Sequence, residues 1–385
     1  MGVVPPVKDC SWGEVDLAPV AEGLVRQHRA APCAAVGAAI RDAGRWRLGA
    51  GYAGRLWPAD DAPAADAGTL FDLASLTKPV VALTLARAER RECVRRAQTL
   101  GQLLPELAST PSGPVPLDLL SAHRAGLEAH RELFVAELGA IQPAAERALA
   151  RAASERRPEC LGAAPPGGFP PVYSDLGYML LGAALSAASG MALDELVRQE
   201  VADPLGLRLG SARAMATACG SQAAFVSAVA PTEIVPWRGG VLRGVVHDEN
   251  AWVLSNDGLA GHAGAFGDLA SVVLLGVAVL DALAGRRLEW LAPAELEPLL
   301  RRRPGGTHCA GFDRRGGDAP MSGQHFGRET FGHLGFTGTS IWIDPERELC
   351  GVVLSNRVHP TRDSTAIRAA RPAAYDGIYR AMTGT

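Results

Sequence analysis

The chain has no marked excess of either charge: 38 Lys and Arg stand against 41 Asp and Glu, a formal net charge of −3 over 385 residues. A nucleic-acid binder normally carries a basic excess, so nothing here points to that partner class. The short run Arg301-Arg302-Arg303 reads as a solvated helix end. No C-x-x-C pair occurs among the seven cysteines, and their number is odd. That pattern indicates neither a disulfide framework nor a zinc site. No apolar stretch is long enough to span a bilayer, which takes roughly 20 residues. The longest, 269–280, stops at Asp281 and reads as a buried core helix. The first ten residues lack the basic stretch and apolar block of a signal peptide, so the expected setting is the reducing cytoplasm. No internal repeat is visible.

What is present suits one large domain or two intimately connected ones, with 48% hydrophobic residues to fill a core. Residues 17–28 have the spacing of an amphipathic helix. Residues 34–40 read as a buried strand, 41–44 as a turn, and 45–52 as the returning arm of a hairpin. The other end mirrors this, with strands over 340–343 and 350–355 and a closing helix over 365–382. Between the ends, 75–96, 175–188 and 192–199 are helical in pattern, interrupted by joints such as Pro165-Pro166-Gly167-Gly168. The expected fold is α/β (α+β): one antiparallel sheet built from both chain ends, flanked by helices, with a mostly helical region inserted. Residues 1–80 and 265–385 are assigned to the sheet domain and 81–264 to the helical one, with the active site between them.

Ser75-Leu76-Thr77-Lys78 precedes an apolar helical run. Residues three apart share a helix face, so Ser75 and Lys78 are expected to meet. Pro79 is tolerated only in a first turn, which starts the helix near Ser75 and places the hydroxyl at the positive end of the dipole. A serine needs a base to become nucleophilic. A lysine serves if burial brings its pKa down, and Val80, Val81 and Leu83 make burial plausible. A second motif, Tyr173-Ser174-Asp175, follows a Pro-Gly loop and opens a helix. A third, His333-Leu334-Gly335-Phe336-Thr337-Gly338, runs into the strand at 341–343. Small residues there let a substrate approach an edge strand.

In this order and spacing the three motifs resemble the serine β-lactamase and penicillin-binding-protein superfamily, most of all its class C branch with related peptidases and esterases. Segments 119–127 (LLSAHRAGL), 261–266 and 354–360 also resemble family segments, so the likeness runs over about 15–380. The resemblance implies Ser75 as nucleophile and Lys78 as its base, alone or shared with Tyr173. Tyr173 would hand a proton to the leaving group. The N–H groups of Ser75 and Phe336 would form the oxyanion hole. Asp175, His333, Gly335 and Thr337 would contact substrate or orient Lys78. Segment 246–251 adds His247 as a further substrate-side candidate.

Two departures bear on the substrate. His333 and Leu334 stand where penicillin-recognising members carry the lysine and threonine that hold a carboxylate. Histidine is only partly charged near neutral pH. The expected activity is therefore hydrolysis of an uncharged ester or amide, with no cofactor and no metal. No H-E-x-x-H spacing links His247, Asp248, Glu249 and His262. The alternatives are a genuine β-lactamase or D-Ala-D-Ala carboxypeptidase or D-aminopeptidase, an acyltransferase, and a non-catalytic binding protein on the same scaffold.

Overall fold

Alternation along the second strand sets the layering. The computed structural model describes residues 10–137 and 145–385. In β2 (Cys33–Asp42), Ala34, Val36 and Ala38 face one core while Ala35 and Ala39 face another. That is the period of two a strand imposes. β1 is Cys10–Asp16 and β3 is Arg45–Gly54. β2 and β3 form the expected hairpin, from Cys33↔Gly54 to Asp42↔Arg45. Its two-residue turn has positive φ at both Ala43 and Gly44, matching the strand twist.

The late strands are β4 (Asp313–Arg314), β5 (Phe331–Leu334), β6 (Ser340–Asp344) and β7 (Leu349–Ser355). β7 lies antiparallel to β2, from Leu349↔Ile40 to Ser355↔Ala34, and this pairing joins the two ends of the chain. The seven strands run in the order β1-β3-β2-β7-β6-β5-β4. One pair is not antiparallel: β1 pairs parallel with β3, with a register shift between Ser11 and Val15. The intervening helix α1 (Ala18–Glu22), prolonged by a π-turn over Gly23–Gln27, carries the chain across before β2 begins.

Every residue of β7 is buried because both faces of the sheet are covered. Helix α4 (Leu269–Leu283) packs on one face, so close that a Cβ on Gly276 would collide with Cys350 Sγ. Helix α5 (Ile367–Thr383) packs with α1 on the other. The first core extends from the sheet through α4 into the helical region.

Helix α2 (Thr77–Arg90) is buried over Thr77–Ala88 and follows a 3-10 turn over Ala74–Leu76. It stops short of the expected residue 96. Glu92 takes φ +58, and the N–H of Cys93 closes on Ala88 O, a left-handed cap that ends the helix. Helix α3 (Asp175–Ser189) begins where the sequence suggested. Among the described residues, no single helix is long and apolar enough to cross a membrane.

Candidate active site

Ser75 sits in the 3-10 turn, one residue after Ala74, which has φ +48. An alanine in the left-handed region is strained and persists only where its surroundings hold it. Asp72 provides that hold. Its Oδ1 accepts from Ala74 N–H at 2.8 Å and its Oδ2 accepts from His247 N–H at 2.7 Å. Burial pushes the Asp72 carboxyl upward, and the two backbone donors restrain the shift.

Lys78, three residues on, is fully buried, and its ammonium makes three contacts. It donates to Ser75 Oγ at 3.0 Å, to Asp175 Oδ1 at 2.7 Å and to His262 O at 3.2 Å. Three acceptors match the three protons of a charged lysine. Burial is the largest influence on Lys78 and acts downward. The Asp175 carboxylate and Tyr173 outweigh it, so its pKa is raised. This corrects the expectation of a lysine brought toward neutrality by burial. Asp175 is correspondingly lowered: burial opposes its charge, but Lys78 and the His130 hydrogen bond prevail. Asp175 is free for this because Ser174, not Asp175, caps α3, its Oγ accepting from Gly177 N–H.

Tyr173 lies over this pair, its ring centroid 4.7 Å from Lys78 Nζ, with its hydroxyl in reach of Lys78 and Ser75. Burial raises its pKa, so the phenol is neutral. Imidazoles surround it: His123, His308 and His333 have ring centroids 4.7, 5.6 and 5.8 Å away. His123 is structural, its Nδ1 accepting from Ser174 N–H. His262 is too, with Nε2 2.8 Å from Asp248 Oδ1. His333 is pushed down to about 3, first by burial and then by the Lys78 charge. It is therefore uncharged rather than partly charged. Its Nδ1–H donates to Leu334 O at 2.8 Å, which leaves Nε2 as an acceptor.

The turn after β5 brings Phe336 to the wall of the cavity that Ser75 also lines. A Cβ on Gly335 would drive into Thr339 Oγ1 and the Leu73 carbonyl, so only glycine fits there. Thr337 does not contact substrate space as expected. It is buried, absent from the cavity wall, and its hydroxyl donates to Asp72 O at 2.7 Å. Thr339 Oγ1 likewise donates to Leu73 O at 2.9 Å. The two threonines tie the Phe336 turn to the segment just ahead of Ser75.

Ser75, Tyr173, Asp175, His247, His333, Gly335 and Phe336 share one cavity of about 570 Å³. His247 stacks on the Phe336 ring at 5.6 Å and holds Glu233 at 3.1 Å. Among the described residues, no three His, Cys, Asp or Glu side chains form a metal cage. Sequence reasoning missed His130, His308 and Asp313, which no motif marks, and the arginines Arg357, Arg362 and Arg371. Arg362 is neutralised by Glu233 and Glu249 at 2.5 and 2.6 Å. Arg357 has no carboxylate partner among the described residues. It donates from Nε to Phe336 O at 2.7 Å, its guanidinium 4.5 Å from that ring.

The Beta-lactamase family model matches residues 21–375. The chain belongs to the β-lactamase family. A Salmonella gallinarum protein named "Putative D-alanyl-D-alanine carboxypeptidase" is 31% identical over 202 residues, 49% of this chain and 45% of that protein. The chain thus aligns with about half the length of this curated relative. Two solved structures share the β-lactamase fold at low identity. The class C β-lactamase from Rhodobacter sphaeroides has TM-score 0.65 at 18% identity, covering 96% of this chain and 98% of that one. EstCE1, described as a hydrolase with promiscuous acyltransferase activity, has TM-score 0.66 at 20% identity, covering 92% and 97%.

Proposed function

We propose that this β-lactamase-family protein is a serine hydrolase that forms an acyl-enzyme at Ser75 and acts on an uncharged ester or amide. The observation that carries the reading is the buried Lys78 ammonium, shared between Ser75 Oγ and Asp175 beneath Tyr173, behind a 570 Å³ cavity that Ser75, Asp175 and Tyr173 line. With Lys78 held charged, Tyr173 becomes the proton shuttle. As Ser75 Oγ bonds to the acyl carbon, its proton passes to the phenol oxygen and the phenol proton passes to the departing alkoxide or amine. Water then enters by the reverse relay. The Ser75 and Phe336 N–H groups bind the oxyanion, at about 3 kcal/mol per donor. No cofactor takes part in this chemistry. The partner is a small molecule, and the proposed setting is the cytoplasm.

The neutral His333 and apolar Leu334 support an uncharged substrate, because neither offers a charge-assisted bond to a carboxylate. A second reading, a β-lactam or D-alanyl peptide, is favoured by Arg357, which lines the cavity and has no acidic partner among the described residues. The test is kcat/KM on an aryl ester, a chromogenic cephalosporin and a D-alanyl-D-alanine peptide, with Ser75→Ala as blank. Preference for the ester supports the first reading, and preference for either acid supports the second. Adding an alcohol acceptor measures acyl transfer against hydrolysis. No turnover of any of them overturns the enzyme reading.

A further inference from the structure

Arg371 lies in the first turns of α5, with only 7% of its surface exposed, and it lines the Ser75 cavity. Among the described residues it has no carboxylate partner, and its Nε has no hydrogen-bond partner at all. Burying an uncompensated guanidinium is costly. Burial lowers its pKa to about 10, with nearby Arg357 acting in the same direction, so it stays charged at neutral pH. The charge is spent on two backbone carbonyls: one Nη donates to Gly335 O at 2.7 Å and to Thr339 O at 3.1 Å.

Gly335 O belongs to the same peptide unit as the Phe336 N–H. That peptide is trans, and a trans peptide points its C=O and N–H in opposite directions. A cation anchored on the carbonyl fixes the direction of the N–H and, by polarising the amide, strengthens it as a donor. On its other side the turn is tied to Asp72 O and Leu73 O through Thr337 and Thr339. Gly335 N–H closes the turn on Thr339 O at 2.7 Å.

We propose that Arg371 is a positioning residue that orients and polarises the 335–336 peptide, whose N–H stabilises the oxyanion. The inference rests on the reading of Ser75 as nucleophile and Phe336 N–H as oxyanion donor. It makes the strength of that donor depend on a side chain that never touches the reacting atoms.

The test compares the full-length wild type with Arg371→Met and Arg371→Lys. An aryl ester with a 13C-labelled carbonyl is rapidly mixed with each. Isotope-edited infrared spectra then read the acyl carbonyl on Ser75, circular dichroism checks the fold, and kcat and KM are measured separately. The expected result is an acyl carbonyl band at higher wavenumber in Arg371→Met. Its kcat should be about 10- to 100-fold lower, less than for outright loss of a donor, with KM unchanged. Arg371→Lys should recover part of both effects, and it carries the test alone if the methionine variant does not fold. A band and kcat at wild-type level in a folded variant overturn the proposal. So does a KM increase confined to carboxylate-bearing substrates, which would make Arg371 a substrate contact. If the wild type forms no adduct on Ser75, the parent reading falls first, and that is seen before any variant is compared.

Discussion

Asp175→Asn perturbs the charge state on which the site depends while changing little shape. The carboxylate lies 2.7 Å from a fully buried Lys78 Nζ and is the chief influence raising that lysine above its usual value. An opposite charge at this distance typically moves a pKa by about 1–3 units, each unit being about 1.4 kcal/mol. With the charge gone, burial is the dominant influence left, and it acts downward. The Lys78 titration should therefore move downward, toward the alkaline edge of the assay. Leaving a buried ammonium without its partner should also cost about 3 kcal/mol of stability, the lower end for a broken buried pair because Asp175 is 19% exposed. The assay is the pH dependence of kcat/KM on an aryl ester from pH 6 to 10, paired with a urea midpoint. The wild type should show no lysine ionisation in that window, whereas Asp175→Asn should show a new one on the alkaline side. Superimposable profiles with equal urea midpoints would refute the claim that Asp175 holds Lys78 charged.

Other changes probe neighbouring parts of the site. Tyr173→Phe removes the shuttle hydroxyl and should lower kcat by about 100- to 10,000-fold with little change in KM, measured on the same ester. Gly335→Ala forces a Cβ into Thr339 Oγ1 and the Leu73 carbonyl; stability should drop by about 1–3 kcal/mol, with loss of acylation, seen in denaturation and burst kinetics. His333 has a folded pKa of about 3, below its unfolded value, so unfolding takes up a proton as pH falls below about 6.5. Stability is complete above that pH and should decline at up to about 1.4 kcal/mol per pH unit between pH 6.5 and 5, before the carboxylates titrate. His333→Gln should flatten that part of a urea-midpoint profile.

Local rules made much of this legible. The hairpin at 33–54, the strands near 340 and 350 and the start of α3 follow from period-two patterning and turn or capping residues, all within a few positions of each other. The meeting of Ser75 and Lys78 follows from helical spacing. Charge state did not follow, because it depends on Asp175, which lies 97 residues from Lys78 in the chain. The parallel pairing of β1, the inward role of Thr337 and the placement of Arg371 behind Gly335 are likewise products of tertiary packing. Arg371 comes from a helix on the far side of the sheet and carries no motif. His333 shows the limit from the other direction. Its identity was readable, but its neutrality comes from burial and the nearby ammonium.

The most direct test of the central claim is covalent labelling. The protein is treated with a fluorophosphonate at pH 7, and intact mass and the modified peptide are read for wild type and Ser75→Ala. One phosphonyl adduct per chain on Ser75, absent from the alanine variant, is the predicted result. No adduct, or an adduct that survives Ser75→Ala, would contradict Ser75 as the nucleophile.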